Sequence, residues 1–338
     1  MKLRVTLNFL VVTAALLLIA SAVYLLAGSE AAAGLYGKSE PEKNYPSPSL
    51  PIYDPFADQE LIFYPKNPAP GDFVIVEAGP AGRSGEDGLE LLLDFNGTVS
   101  DFYRVGNLIY AIVGICYTTE PGRYSLTLEP VSAASSKAGL EAAIDITVKD
   151  FSLSRFSMPP GTTAGWTAAR LAEDREKVRI AREATEPHPL WVQTFVPPLE
   201  GRITSEYGAI RIINNNPPRR HSGIDLGAEE GTPVFSPNRG LVRLAEFLLS
   251  GGNTVIIDHG MGLSSTYMHL ENIAVEVGHM VERGELIGTV GMTGYATGPH
   301  LHWEVNIGQR PVNPEQLMQN ELLWIPPAYV QQLWPDGR

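Results

Sequence analysis

The chain has 338 residues, enough for two globular regions rather than one small core. Its net charge of -13 argues against a nucleic-acid partner, which needs a basic surface, and the arginines after Lys177 are scattered along the chain. Cys116 is the lone cysteine, so no intramolecular disulfide can form, and its apolar surroundings (LIYAIVGICY) predict a buried, inert thiol.

The N-terminus predicts an address. Lys2 and Arg4 precede an apolar run from Val5 to Ala27 that is long enough to span a membrane as a helix. The basic end stays inside, which places the remainder outside the cytoplasm. Residues 1–28 therefore read as an anchor, with a cleaved signal and a secreted product as the alternative. Ser29 stands where lipid attachment would need cysteine. Residues 29–51, rich in Ala, Gly, Ser and Pro, read as a flexible tether.

From residue 52 to 150 the pattern is of short strands separated by turns. Phe73 to Val76 and Leu89 to Phe95 are apolar runs, while Tyr124, Leu126 and Leu128 alternate, as do Ile144, Ile146 and Val148. Alternation buries one face per strand and predicts a small Ig-like β-sandwich. Asn96-Gly97 reads as a hairpin turn. Within a linker at 151–195, Trp166 to Ala184 predicts a solvated connecting helix stopped by Pro187 and Pro189. Residues 196–319 return to a glycine-rich strand pattern, with a helix signal only at Asn313-Pro314-Glu315, and 320–338 form a C-terminal tail. The chain as a whole reads as mainly β.

Four histidines and one aspartate of this last region carry the chemistry. His221 and Asp225 lie in RRHSGIDLG and offer an imidazole nitrogen and a carboxylate oxygen, both good zinc ligands. Gly223 between them would let the backbone curl. His300 and His302 lie in GPHLHWEV, and on a strand they project to one face while Leu301 turns to the core. His269 ends the strand STYMHL. A catalytic zinc takes three protein ligands and leaves one position open. His221, Asp225 and one of the paired histidines supply three. His269 and the other paired histidine remain for proton transfer and oxyanion stabilisation. No HExxH helix occurs. His259 reads as structural and His279 as solvent-facing. The polar stretch IINNNPPRR reads as a rim loop, or as one that shapes access to the site.

At these residues the chain resembles the LytM/lysostaphin-type zinc endopeptidases. The likeness spans 196–319 and rests on GRITSEYG, HSGIDLGAEEGTPVFSPNRGLV, GGNTVIIDHGMGLSSTYMHL, VGHMVERGELIGTVGMTGYATGPHLHWEV and PVNPEQL. It implies a LytM-like β-sheet groove with one Zn2+ per chain on its floor, held by His221, Asp225 and His302, with His269 and His300 catalytic. It implies peptidoglycan peptides as substrate and work in the cell envelope, where the sandwich could meet a protein partner. The alternative is a non-catalytic LytM-like module that recruits or activates other wall hydrolases. Such modules typically lack one or more of these five residues.

Overall fold

A computed structural model describes residues 61–78, 91–105, 108–130, 140–159, 161–191 and 194–318. The anchor, the tether and the C-terminal tail lie outside the described residues. Among those described, no helix is long and apolar enough to cross a membrane.

Eight strands come first: β1 (Leu61–Tyr64), β2 (Phe73–Ala78), β3 (Leu91–Phe95), β4 (Thr98–Ser100), β5 (Tyr103–Val105), β6 (Leu108–Gly114), β7 (Gly122–Pro130) and β8 (Leu140–Ile146). They form two four-stranded antiparallel sheets, ordered β1-β2-β6-β5 and β4-β3-β7-β8. The sheets share one core, in which Val74, Val76 and Val113 of the first meet Leu93, Leu126 and Ile144 of the second. Strands β2, β7 and β8 turn alternate apolar residues inward, so burial of one face drives the pairing. The Asn96-Gly97 turn joins β3 to β4 with φ of 51° and 73°, the left-handed conformation that a two-residue hairpin needs. Two expectations fail here. Val148 lies beyond the end of β8 and is 75 % exposed. Cys116 is only half-buried, with its Sγ 3.0 Å from Thr118 Oγ1, because it follows the end of β6 and lies in the turn, not the strand.

Strand β9 (Leu153–Phe156) leads to helix α1 (Ala168–Glu183). The Thr167 side chain accepts the Arg170 amide at 3.2 Å and caps the helix start. The helix is less solvated than its composition predicts. Val178 and Ala181 pack against Leu244, Leu248 and Ile256, and the buried Asp174 carboxylate accepts the Leu249 amide at 2.7 Å. A thin apolar stripe suffices because the partner surface is flat sheet.

The C-terminal strands are β10 (Arg202–Ser205), β11 (Ile210–Ile213), β12 (Arg219–Arg220), β13 (Ile224–Gly227), β14 (Pro233–Phe235), β15 (Gly240–Leu248), β16 (Gly252–Gly260), β17 (Leu263–Ile273), β18 (Met280–Val281), β19 (Leu286–Val290), β20 (Leu301–Ile307) and β21 (Arg310–Val312). The main sheet runs β10-β13-β20-β17-β16-β15-β18, and β12-β11-β9 form a small sheet of their own. Trp303, Tyr267, Ile256 and Leu263 are fully buried around its centre. A 3-10 turn (Pro314–Met318) follows at the expected place. His259 is structural: it is fully buried between the Arg239 carbonyl (2.9 Å) and Ser265 Oγ (2.8 Å). His279 is exposed and pairs with Glu285.

All described residues belong to one unit spanning 54–338, and the two regions are bonded together. Gln316 accepts the Phe73 amide at 2.7 Å and donates to the Phe73 carbonyl at 3.2 Å. The Asn313 amide donates to the Gly71 carbonyl, and Tyr207 lies against Gly71. Replacing Gln316 with Ala strands two buried backbone groups of Phe73. Urea unfolding should show Gln316→Ala destabilised by about 1–3 kcal/mol, whereas an unchanged midpoint would mean the two regions do not depend on this joint.

Candidate functional site

Asp225 on β13 and His302 on β20 are direct cross-strand partners in antiparallel register. Pairing of this kind sets two side chains on the same face of the sheet, close enough to touch. His221 comes in from just before β13. Its amide donates to the Ala209 carbonyl (2.9 Å) and its own carbonyl accepts from Gly208. Gly223 does not use the conformational freedom expected of it, since its φ is not positive. A side chain there would instead collide with the Trp303 carbonyl, so glycine lets β13 approach β20.

The three side chains converge, all buried. His221 Nε2 and His302 Nδ1 lie 3.0 Å apart, at 3.0 and 2.9 Å from Asp225 Oδ1. Together they are a group able to hold a metal ion. Zinc bonds of about 2.0–2.1 Å set tetrahedral ligand atoms roughly 3.3 Å apart, so these donors are already near the needed spacing. His221 Nδ1 lies 2.8 Å from the Glu206 carbonyl, which can only accept, so Nδ1 carries the proton and Nε2 presents its lone pair. The donor set therefore fits a divalent cation with a position left open.

Electrostatics agree with that fit. Burial opposes the charge on Asp225, but hydrogen bonds to His221 and His302 outweigh it and hold the carboxyl well below the usual range. Burial pushes the His221 imidazole down, so it stays neutral. Burial also opposes a charge on His302, yet Asp225 and Glu304 prevail and raise it to about 9. The cluster thus holds one proton in the place a cation would take.

His269 and His300 stand beside this group, with ring centroids 4.8 Å apart, and His269 is 6.1 Å from His302. His300 Nε2 is 3.8 Å from Asp225 Oδ1. His269 Nδ1 donates to the Thr293 carbonyl and His300 Nδ1 to the Gly298 carbonyl, each at 2.8 Å, leaving both Nε2 atoms toward the site. Burial and the neighbouring histidines push His269 down to about 3, so it is neutral at pH 7. His269 does not end its strand. It sits inside β17 at a bulge with φ of 64°, where the register slips against β16 and its amide reaches the Gly251 carbonyl at 2.7 Å. A bulge re-aims one side chain without ending the strand, and the left-handed backbone is the strain that accompanies it. His300 precedes β20 and is held by a bridge to Gly291.

The sequence reading missed three residues that support this site. Arg211, on β11, bonds Asp225 Oδ2 and also Ser205 Oγ, leaving Oδ1 for the cluster. Glu304 lies 3.8 Å behind His302 Nε2 and is itself paired with Arg182 of α1 at 3.2 Å. Burial opposes the Glu304 charge, but Arg182 and His302 lower its carboxyl to about 2. Glu304 recurs two residues after His302 on the same strand face, a period-two signal the sequence offers. Arg211 and Arg182 have no local spacing that marks them. The stretch IINNNPPRR holds the turn of the β11–β12 hairpin, and Ile213, Asn216 and Arg219 line a cavity that Arg211 also lines.

Comparison with known proteins places this geometry. Residues 219–314 match Peptidase family M23. An uncharacterised metalloprotease of Buchnera aphidicola is 39% identical over 125 residues, covering 36% of this chain and 33% of that protein. Peptidoglycan DD-endopeptidase ShyA of Vibrio cholerae is 41% identical over 113 residues, covering 30% of this chain and 26% of the relative. The match thus spans a third or less of these relatives' length. The crystal structure of an M23 peptidase from Pseudomonas aeruginosa is similar over 75% of this chain and 95% of that one, with a TM-score of 0.55 and 26% identity. The residues that build the histidine cluster all lie within 219–314, the stretch that is similar to Peptidase family M23.

Proposed function

We propose that this protein is a zinc-dependent endopeptidase that hydrolyses peptide bonds in the stems or cross-bridges of peptidoglycan. The observation that carries the reading is the buried convergence of His221, Asp225 and His302 with two further histidines at its mouth. The relatives named as peptidoglycan DD-endopeptidases support the substrate class. All five residues are present and converge, which favours an enzyme over a non-catalytic recruiting module.

His221, Asp225 and His302 would hold one zinc per chain. Zinc at that position supplies Lewis-acid activation of a carbonyl and of water. His269 is neutral, with Nδ1 tied to Thr293, so its Nε2 accepts a proton from the attacking water. His300 is less buried and nearer the open side. Its Nε2, when it carries a proton as well as Nδ1, steadies charge on the carbonyl oxygen, while the proton that His269 takes from water is the one returned to the departing amine. Glu304 orients the His302 ring from behind, and Arg211 keeps Asp225 bound through one oxygen.

The strand orders β1-β2-β6-β5 and β4-β3-β7-β8 support an Ig-like reading of the N-terminal sheets, with β3, β7 and β8 as the C-F-G group. The apolar run after Lys2 and Arg4 supports an envelope location, with the catalytic domain outside the membrane. In that setting the sandwich positions the peptidase or meets an envelope partner, and takes no part in bond cleavage.

Metal analysis tests the division of roles. His221→Ala should lose zinc, whereas His269→Ala and His300→Ala should retain it and lose roughly 10²–10⁴-fold in rate. Full zinc retention in His221→Ala would sink the assignment. Digestion of purified peptidoglycan, with fragments identified by mass spectrometry, tests the substrate. New peptide termini within stems or cross-bridges are expected, and intact peptides would contradict the reading.

A further inference from the structure

A cavity of about 710 Å³ opens between α1 and the β11–β12 hairpin. Two lining residues connect it to the histidine cluster: Arg211 lines it and bonds Asp225, and Met268, which lines it too, precedes His269. Arginines far apart in sequence gather here. Arg175, Arg179 and Arg182 come from one face of α1, and Arg211 and Arg219 come from the hairpin. Spacings of three and four place the α1 residues on a single stripe. One carboxylate, Asp174, shares the lining, and it already accepts the Leu249 amide.

The five guanidinium groups differ in how they are satisfied. Arg179 pairs with Glu176 and Glu183, Arg182 with Glu304, and Arg211 with Asp225. Arg175 and Arg219 are exposed and have no hydrogen-bond or ion-pair partner among the described residues. Arg175 joins the cavity lining from α1 and Arg219 from the hairpin. Trp166 and Tyr295, with ring centroids 5.8 Å apart, add an aromatic surface to the same lining. In a chain of net charge -13, an anionic peptide meets overall repulsion, so docking requires a local cationic surface. Guanidinium groups recognise a carboxylate by paired, charge-assisted hydrogen bonds.

We infer that this cavity is a carboxylate-binding subsite, with Arg175 and Arg219 as its free cations, which selects peptides bearing a free carboxylate near the scissile bond. The inference rests on the peptidase reading for what the subsite serves, but its geometry stands independently of the chemistry. The Trp166–Tyr295 pair in the same lining would cover an apolar side chain next to that carboxylate.

The test uses the full chain stripped of metal by a chelator, which silences hydrolysis and removes any attraction of zinc for the carboxylate. Calorimetry compares a diacetylated lysyl-D-alanyl-D-alanine tripeptide with its C-terminal carboxamide. The free carboxylate should bind about 10-fold more tightly, as a charge-assisted hydrogen bond predicts, and the preference should shrink with added salt. The double variant Arg175→Gln/Arg219→Gln should abolish the preference, and Arg175→Lys/Arg219→Lys should keep most of it. Both positions are exposed, so the variants should fold, which thermal melting checks. Equal affinities in the unmodified chain, or a preference that survives in the Gln variant, overturn the subsite. Peptidoglycan digestion by the zinc-loaded chain separates the two readings. Binding preference without hydrolysis leaves the subsite and removes the peptidase, and hydrolysis without preference does the reverse.

Discussion

Asp225 and His302 face each other across two hydrogen-bonded antiparallel strands, and the site depends on that register. A one-residue slip of β20 would send His302 into the core and bring Leu301 to the groove. The register is held by what lies beneath: Leu301, Trp303 and Val305 are fully buried, and Gly223 lets β13 come close against the Trp303 backbone. Hydrophobic burial on one face of β20 therefore places His302 and Glu304 on the other. The bulge in β17 then aims His269 at the same point from the neighbouring strand.

Charge is layered around this pair. The outer oxygen of Asp225 is taken by Arg211, and the far nitrogen of His302 faces Glu304, which Arg182 neutralises. Arg182 belongs to α1, so the connecting helix is part of the support of the His302–Asp225 cluster and not a passive spacer. Buried ion pairs of this kind contribute little net stability, but loss of one partner leaves an uncompensated charge at a typical cost of about 3–5 kcal/mol. Their value here is orientation, since each fixes the direction of a group that must present one atom to a cation.

Much of the site was legible in the sequence because its signals are local. His-x-x-x-Asp and His-x-His place ligand types at spacings that strand geometry makes meaningful, and both pairs occupy the positions that spacing implies. The mainly β character followed from alternation in β7 and β8. What was not legible depends on convergence. Arg182 and Arg211 reach the cluster from a helix and a hairpin, and no period links either residue to it. Four of the arginines that look scattered after Lys177 (Arg179, Arg182, Arg211 and Arg219) line one cavity, because the helix docks across the sheet. Nor could alternation alone end β8 before Val148, since apolar spacing continues where pairing stops. The strained backbone of His269 left no mark either, because any residue type can occupy a bulge if the surrounding sheet holds it there.

The central claim is that His221, Asp225 and His302 form a cation site which, without metal, holds a proton on His302. The most direct measurement is calorimetric titration of the metal-free chain with zinc at pH 6, in buffers of differing ionisation enthalpy. His302, raised to about 9, carries its extra proton there, while burial pushes the His221 and His269 imidazoles toward the neutral form. Zinc uptake should therefore release about one proton per chain. Tight zinc binding with no proton release would contradict the account, as would a chain that takes up no zinc.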